Sequence, residues 1–144
     1  MFEADAPVVE RLEQQTSSPW SLTSLLGELK QDRGVVIVAE LTVDQGTLPE
    51  VVGWCACRYL VPESELLKIA VSSDHRRRGI ATALLRHLTL FLSQRSIETL
   101  FLEVRSQNQR ALKFYKKSGF LQIGQRSKYY SNPNDDASIF RKIL

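Results

Sequence analysis

Three arginines and a glycine, Arg76-Arg77-Arg78-Gly79, stand between two stretches of different period. Before them lies a short, partly β-branched apolar run, Leu66-Leu67-Lys68-Ile69-Ala70-Val71, the pattern of a buried strand. A polar turn, Ser72-Ser73-Asp74-His75, follows. After Gly79, the residues Ile80, Ala81, Leu84, Leu85, Leu88 and the Phe91-Leu92 pair recur at helical spacing. The order is therefore strand, basic loop, amphipathic helix. The first turn of a helix leaves backbone N–H groups without partners and carries partial positive charge, so a phosphate fits there. Gly79 and the small Ala81 let the backbone come close, and the arginines add fixed charge. The chemistry this predicts is binding of a di- or polyphosphate. The run matches neither G-x-x-x-x-G-K-[ST] nor G-x-G-x-x-G. A solvated basic turn before an ordinary helix is the plainer alternative.

Such a loop needs a domain to hold it. The chain has 144 residues, 43% hydrophobic and 24% charged, enough for one globular domain over residues 1–144 with its own core. No apolar run approaches the roughly 20 residues of a membrane helix. The start, MFEADAPVVERLEQQ, is acidic and lacks the basic-then-apolar pattern of a signal peptide. We expect a cytoplasmic protein with no membrane partner. The net charge of +3 is mild for a nucleic-acid binder. Its basic residues gather at Arg76 to Arg78, Lys113 to Lys117 and Arg126 to Lys128, which a local anionic ligand explains equally well. Cys55 and Cys57, two apart on a strand, share a face and are expected to be thiols of that strand, with no metal and no oxidising compartment.

In chain order, Ala6 to Gln15 reads as a short helix, and Leu22 to Lys30 as a second one capped by Ser21. Val35 to Val43 and Val51 to Leu60 are strands joined by a turn over Asp44 to Glu50. Pro62-Glu63-Ser64 turns the chain into the strand ending at Val71, so three strands form an antiparallel meander. The helix from Arg78 to Gln94 follows, then a strand over Ile97 to Val104, a turn at Ser106-Gln107-Asn108 and a helix over Gln109 to Lys117. Ser118-Gly119 stops that helix. Phe120 to Gln125 is a strand, Ser127 to Asp135 a polar loop carrying Tyr129 and Tyr130, and Ala137 to Leu144 a last strand.

Arg76, Gly79 and Ala81 form R-x-x-G-x-A directly after a strand, which resembles the acetyl-CoA pyrophosphate loop of the GNAT N-acetyltransferases. The match extends further. Leu102-Glu103-Val104-Arg105 with Asn108, then Ala111 and Tyr115, then Gly119-Phe120, resemble the L-E-V-R-x-x-N, A-x-x-x-Y and G-F motifs of the RimI-type N-terminal protein acetyltransferases. Pro19-Trp20-Ser21, Lys128-Tyr129-Tyr130 and Asp136-Ala137 resemble further motifs of that group. The resemblance covers almost the whole chain after Asp5. It implies an α/β GNAT fold: a mixed, mostly antiparallel sheet splayed between the fourth and fifth family strands, with helices on both faces. The family's first strand is missing here or reduced to Met1 to Asp5.

The resemblance also implies roles. Acetyl-CoA, as co-substrate, would lie in the splay. Backbone groups of Ile69, Ala70 and Val71 would hold its pantetheine arm and polarise the thioester. Arg76, Arg77, Arg78, Gly79, Ile80, Ala81 and Thr82 would hold its phosphates, and Asn108, also a candidate helix cap, its arm. Glu103 would be the general base, and partial burial would suit it to that task. An ion pair of Glu103 with Arg105 is the structural alternative. Tyr115 would be the general acid toward the departing thiolate; packing beside Phe114 is its alternative. Trp20, Ser21, Tyr129 and Tyr130 would wall the channel for a protein N-terminus, with a ribosomal protein as the implied acceptor. The expected enzyme is monomeric. A lysine or small-amine acetyltransferase of the same fold is the first alternative, and a nucleic-acid module or an inactive CoA sensor the others.

Overall fold

The computed structural model describes residues 1–42 and 49–144. A single 3₁₀ turn, Glu3–Asp5, leads into helix α1 (Ala6–Glu13), and α2 (Leu22–Leu29) follows. Strands β1 (Gly34–Leu41), β2 (Glu50–Leu60) and β3 (Glu63–Val71) come next. After a 3₁₀ turn at Ser73–His75 the chain continues as α3 (Ile80–Ser93), β4 (Thr99–Arg105), α4 (Gln109–Lys117), β5 (Leu121–Ser131) and β6 (Asn134–Ile143). The sheet runs β1-β2-β3-β4-β6-β5. Its neighbours are antiparallel except for β3 and β4, which are parallel. This is the expected GNAT sheet. Residues Met1 to Asp5 form no strand, and the Met1 ammonium instead donates to the Val36 carbonyl at 3.1 Å.

Local chemistry explains the helix ends. The Ser21 hydroxyl accepts from the Ser24 N–H, and Glu10 accepts from the Leu22 N–H at 2.8 Å, so α2 starts with two of its orphan donors satisfied. Asn108 caps α4 by accepting from Ala111 N–H at 3.1 Å. Gly119, at φ 85°, ends it in the left-handed conformation that glycine adopts without strain.

Each face of the sheet carries one helical layer. Val9, Leu12 and Leu25 of α1 and α2 pack on Trp54, Ala56 and Ala70. Leu84, Leu85, Leu88 and Leu92 of α3, with Tyr115 of α4, pack on Cys55, Cys57, Leu100, Leu102 and Phe140. Leu88 and Leu92 are fully buried, and each contributes about 2 kcal/mol by leaving water. On β4, Leu100, Leu102 and Val104 face the α3–α4 layer. The alternation of a strand therefore turns Phe101, Glu103 and Arg105 to the opposite face.

Several boundaries differ from the sequence reading, and two of them bear on the site. Glu63 and Ser64 belong to β3, since Leu60 pairs with Glu63 and only Val61-Pro62 turns. Ser64 is buried between exposed Glu63 and Glu65, so the period-two pattern is real but written in polar residues. Tyr129 and Tyr130 are on strand β5, not in a loop; the hairpin turns at Asn132-Pro133. As an edge strand paired only with β6, β5 shows exposed residues on both faces and lacks an apolar alternation. The predicted end of the first strand at Val43, and the turn residues up to position 48, lie outside the described residues.

Candidate active site

The parallel pair β3–β4 is joined only from Glu63–Leu66 to Thr99–Leu102. Both strands run on, β3 to Val71 against β2 and β4 to Arg105 against β6. A gap therefore opens between Leu67–Val71 and Glu103–Arg105. Ser72 N–H donates to Val52 O at 2.9 Å. Backbone direction alternates along a strand, so Ala70 turns its amide and carbonyl to β2 while Ile69 and Val71 turn theirs to the gap. Ile69 and Val71 thus direct backbone groups into the gap, and Ala70 directs its own to β2.

The basic loop closes one end of this gap. Arg76 is used internally: its Nε donates to Val71 O at 3.1 Å and its guanidinium reaches Gln15 O at 3.5 Å. Ser73 N–H donates to the Gln15 side chain at 2.7 Å. The loop is thus tied to the end of α1, and Arg77 and Arg78 are left exposed. Arg77 (φ 65°) and Gly79 (φ 81°) both take left-handed backbone. The first helical bond of α3 is Ala83 N–H to Gly79 O, so the N–H groups of Ile80, Ala81 and Thr82 precede the ladder. A Cβ built on Gly79 would meet nothing within 4 Å. Open space, three forward amides and two free guanidinium groups fit a phosphate chain.

Glu103 sits where β4 leaves β3. Its side chain is 17% exposed and pairs with Arg126 Nε at 3.1 Å, not with Arg105. Arg105 instead donates to Pro133 O at 2.8 Å and Asn132 O at 3.0 Å, and lies 4.2 Å from the Tyr130 ring centre. It thereby fastens the β5–β6 hairpin to β4. Tyr129 and Tyr130 meet edge to face at 5.0 Å. The Glu103 carboxylate beside it holds the Tyr129 phenol above its usual range. Burial raises Tyr130 first, and the charge of Glu103 next. Glu103 and Arg126 line a cleft of about 490 Å³ with Glu65, Phe101 and Ile139. Arg126 was not legible as a partner of Glu103, because it reaches over from β5 with β6 between the two strands.

Tyr115 lies in the other layer. It packs on Phe120 at 5.5 Å, Phe114 at 5.3 Å and Phe140 at 6.3 Å. Burial keeps its phenol protonated well beyond the ordinary range, so it is a standing donor. Glu103 and Tyr115 thus belong to opposite faces of the sheet. Asn108 caps α4 with its side chain.

Trp20 and Ser21 are built into the α1–α2 connection. Trp20 stacks edge-on against Trp54 at 5.5 Å, and Ser21 caps α2. Holding them is a group the sequence reading passed over, Glu13. Its carboxylate is fully buried and accepts from Trp54 Nε1 at 3.0 Å and Trp20 N–H at 2.9 Å. It also pairs with Lys68 Nζ at 3.0 Å, which in turn reaches Ser18 O at 2.7 Å. The signal was available: Glu13 falls at i+4 from Val9 on the buried stripe of α1.

Residues 5–120 match the acetyltransferase (GNAT) family. The [ribosomal protein bS18]-alanine N-acetyltransferase of Salmonella typhimurium is 31% identical over 138 residues, 94% of this chain and 88% of that protein. The protein of the same name from Escherichia coli (strain K12) is 39% identical over 82 residues, 56% of this chain and 55% of the relative. The crystal structure of the ribosomal-protein-S18-alanine N-acetyltransferase from Escherichia coli superposes with a TM-score of 0.85 at 29% identity, covering 100% of this chain and 90% of that one.

Proposed function

The chain belongs to the acetyltransferase (GNAT) family, and from that premise we propose that it moves the acetyl group of acetyl-CoA to the N-terminal α-amine of a protein, a ribosomal protein of the bS18 type. One observation carries the reading: the sheet parts between β3 and β4, with the carboxylate of Glu103 where β4 leaves β3 and the basic Gly79 loop after the end of β3. To this we add Tyr115, a protonated phenol of the opposite layer, as the proton donor. The names of the relatives support the choice of acceptor.

The donor supplies an activated acyl group as a thioester. Ile80, Ala81, Thr82, Arg77 and Arg78 bind its phosphates, and the backbone of Ile69 and Val71 holds its arm as a neighbouring strand would. The Val71 N–H polarises the thioester carbonyl. An α-ammonium has a pKa near 8, so roughly a tenth is free amine at pH 7. Glu103 takes the proton the amine must lose, and Tyr115 donates to the departing sulfur. The Tyr129-Tyr130 hairpin and the Trp20-Ser21 connection bound the acceptor side. Transfer is direct, because Cys55 and Cys57 are buried strand thiols pushed up to about 12 and held in the neutral form. Among the described residues no helix is long and apolar enough to cross a membrane. We place the enzyme in the cytoplasm as a monomer acting on a protein and not on nucleic acid.

The test is acetyl transfer to short peptides with free or blocked N-termini, beside Glu103→Gln and Tyr115→Phe. Transfer only to free N-termini, with kcat lost in both variants, is expected. Transfer to blocked peptides through lysine would sink the N-terminal reading and leave the fold intact.

A further inference from the structure

We propose that Arg126 is the resident counter-ion of Glu103 in the free enzyme, and that the N-terminal ammonium of the acceptor takes its place. This rests on the reading of Glu103 as the group that meets the amine. The guanidinium occupies that carboxylate at 3.1 Å. An incoming ammonium and Arg126 would be like charges on one carboxylate, so the two compete for it and each weakens the other's hold.

The geometry says which of them yields. Glu103 lies on an inner strand, paired through β4 to β6 and only 17% exposed, while the Arg126 side chain is 58% exposed. Arg126 also stands on the edge strand, at the start of a register slip that runs to Tyr130. It has a second seat nearby, because its guanidinium carbon is 5.6 Å from the centre of the Tyr129 ring, within reach of a cation–π contact. Arginine can therefore swing from carboxylate to ring while the carboxylate stays put. An acceptor without positive charge has nothing to exchange for the arginine. Arg126 thus selects for a cationic nitrogen and keeps neutral alcohols and thiols from the base.

An ion pair with one partner this exposed changes an equilibrium constant by about 2–5-fold. The experiment measures the Kd of a C-terminally labelled peptide with a free N-terminal alanine, by fluorescence anisotropy, for four proteins: the natural chain, Arg126→Gln, Glu103→Gln and the double variant. KM and kcat are followed in the same series, with Arg126→Lys as the conservative control. The expected result is that Arg126→Gln tightens the peptide about 2–5-fold, in Kd and KM but not in kcat. The gain is absent in the Glu103→Gln background, and Arg126→Lys behaves as the natural chain. An unchanged or weaker Kd in Arg126→Gln overturns the proposal, as does an equal gain without Glu103. A tenfold fall in kcat also overturns it, since Arg126 would then be orienting Glu103. Full activity of Glu103→Gln refutes the underlying base instead, whatever Arg126 does.

Discussion

Replacing Glu13 by alanine removes one acceptor from three donors at once. Trp54 Nε1 and the Trp20 amide, at 3.0 and 2.9 Å from the carboxylate, would be left without partners. A buried donor stripped of its acceptor costs about 1–3 kcal/mol. Lys68 loses less, because its side chain is 15% exposed and keeps Ser18 O at 2.7 Å and Thr16 Oγ1 at 3.3 Å. Its share is about 1 kcal/mol, below the 3–5 kcal/mol of a fully buried broken pair. The total is about 3–7 kcal/mol, against the ~5–15 kcal/mol that a domain has in all. That lowers Tm by about 10–20 °C. Glu13→Gln keeps the shape but turns an NH₂ toward donors, at a cost of about 2–4 kcal/mol. Urea unfolding at constant m-value measures these costs. Lys68→Met completes a cycle, in which Glu13→Gln and Lys68→Met together cost about 1–3 kcal/mol less than their sum. A loss below about 1 kcal/mol for Glu13→Ala, or additivity of the pair, would refute the reasoning.

Three further outcomes follow from other parts of the molecule. Cys55 and Cys57 have folded pKa values near 12, above those of unfolded thiols, so their stabilising contribution is complete below about pH 8.5 and is lost as pH rises toward 12. Unfolding free energy should fall with up to about 2.7 kcal/mol per pH unit in that window, and a thiol reagent should label both cysteines only after denaturant is added. Gly79→Ala places a side chain at φ 81° with empty space around it. It should cost only about 1–2 kcal/mol in urea, yet raise KM for acetyl-CoA about tenfold if the phosphates use that space. Arg105→Met cuts the hairpin from β4. It should raise peptide KM several-fold with acetyl-CoA KM unchanged; equal changes in both would show that the hairpin does not bound the acceptor side.

The loop, the helix ends and the inner strands were readable because each is decided by local chemistry. Gly79 at a strand–helix junction, Asn108 three residues before the amide it caps, and Gly119 after Lys117 announce their own conformations. What failed were places where the deciding partner is distant. The start of β3 is polar because Ser64 satisfies itself on Thr99 O at 2.9 Å, across the sheet. The outer half of β5 shows no alternation because its residues are exposed on both faces of the strand. Asp136 accepts from Lys128 N–H at 2.7 Å and Gln125 at 2.8 Å, which shapes the irregular stretch carrying Tyr129. The Glu103–Arg126 pair and the Glu13–Lys68 pair are contacts between residues 23 and 55 positions apart, which no local pattern encodes.

The two halves of the sheet, β1-β2-β3 and β4-β6-β5, are stitched by four residue pairs, Glu63 to Leu66 against Thr99 to Leu102. Beyond that seam the halves diverge, and a donor lying along Ile69 and Val71 would serve as the missing rungs of the ladder. The substrate is then also a strut. At a hundred times its Kd it would add about 2.7 kcal/mol to the folded state, which is about 5–10 °C in Tm. Amide exchange at Ile69 and Val71 should slow in proportion. The lifetime of the protein in the cell would then follow the supply of activated acetyl groups, since a starved enzyme opens along its own seam.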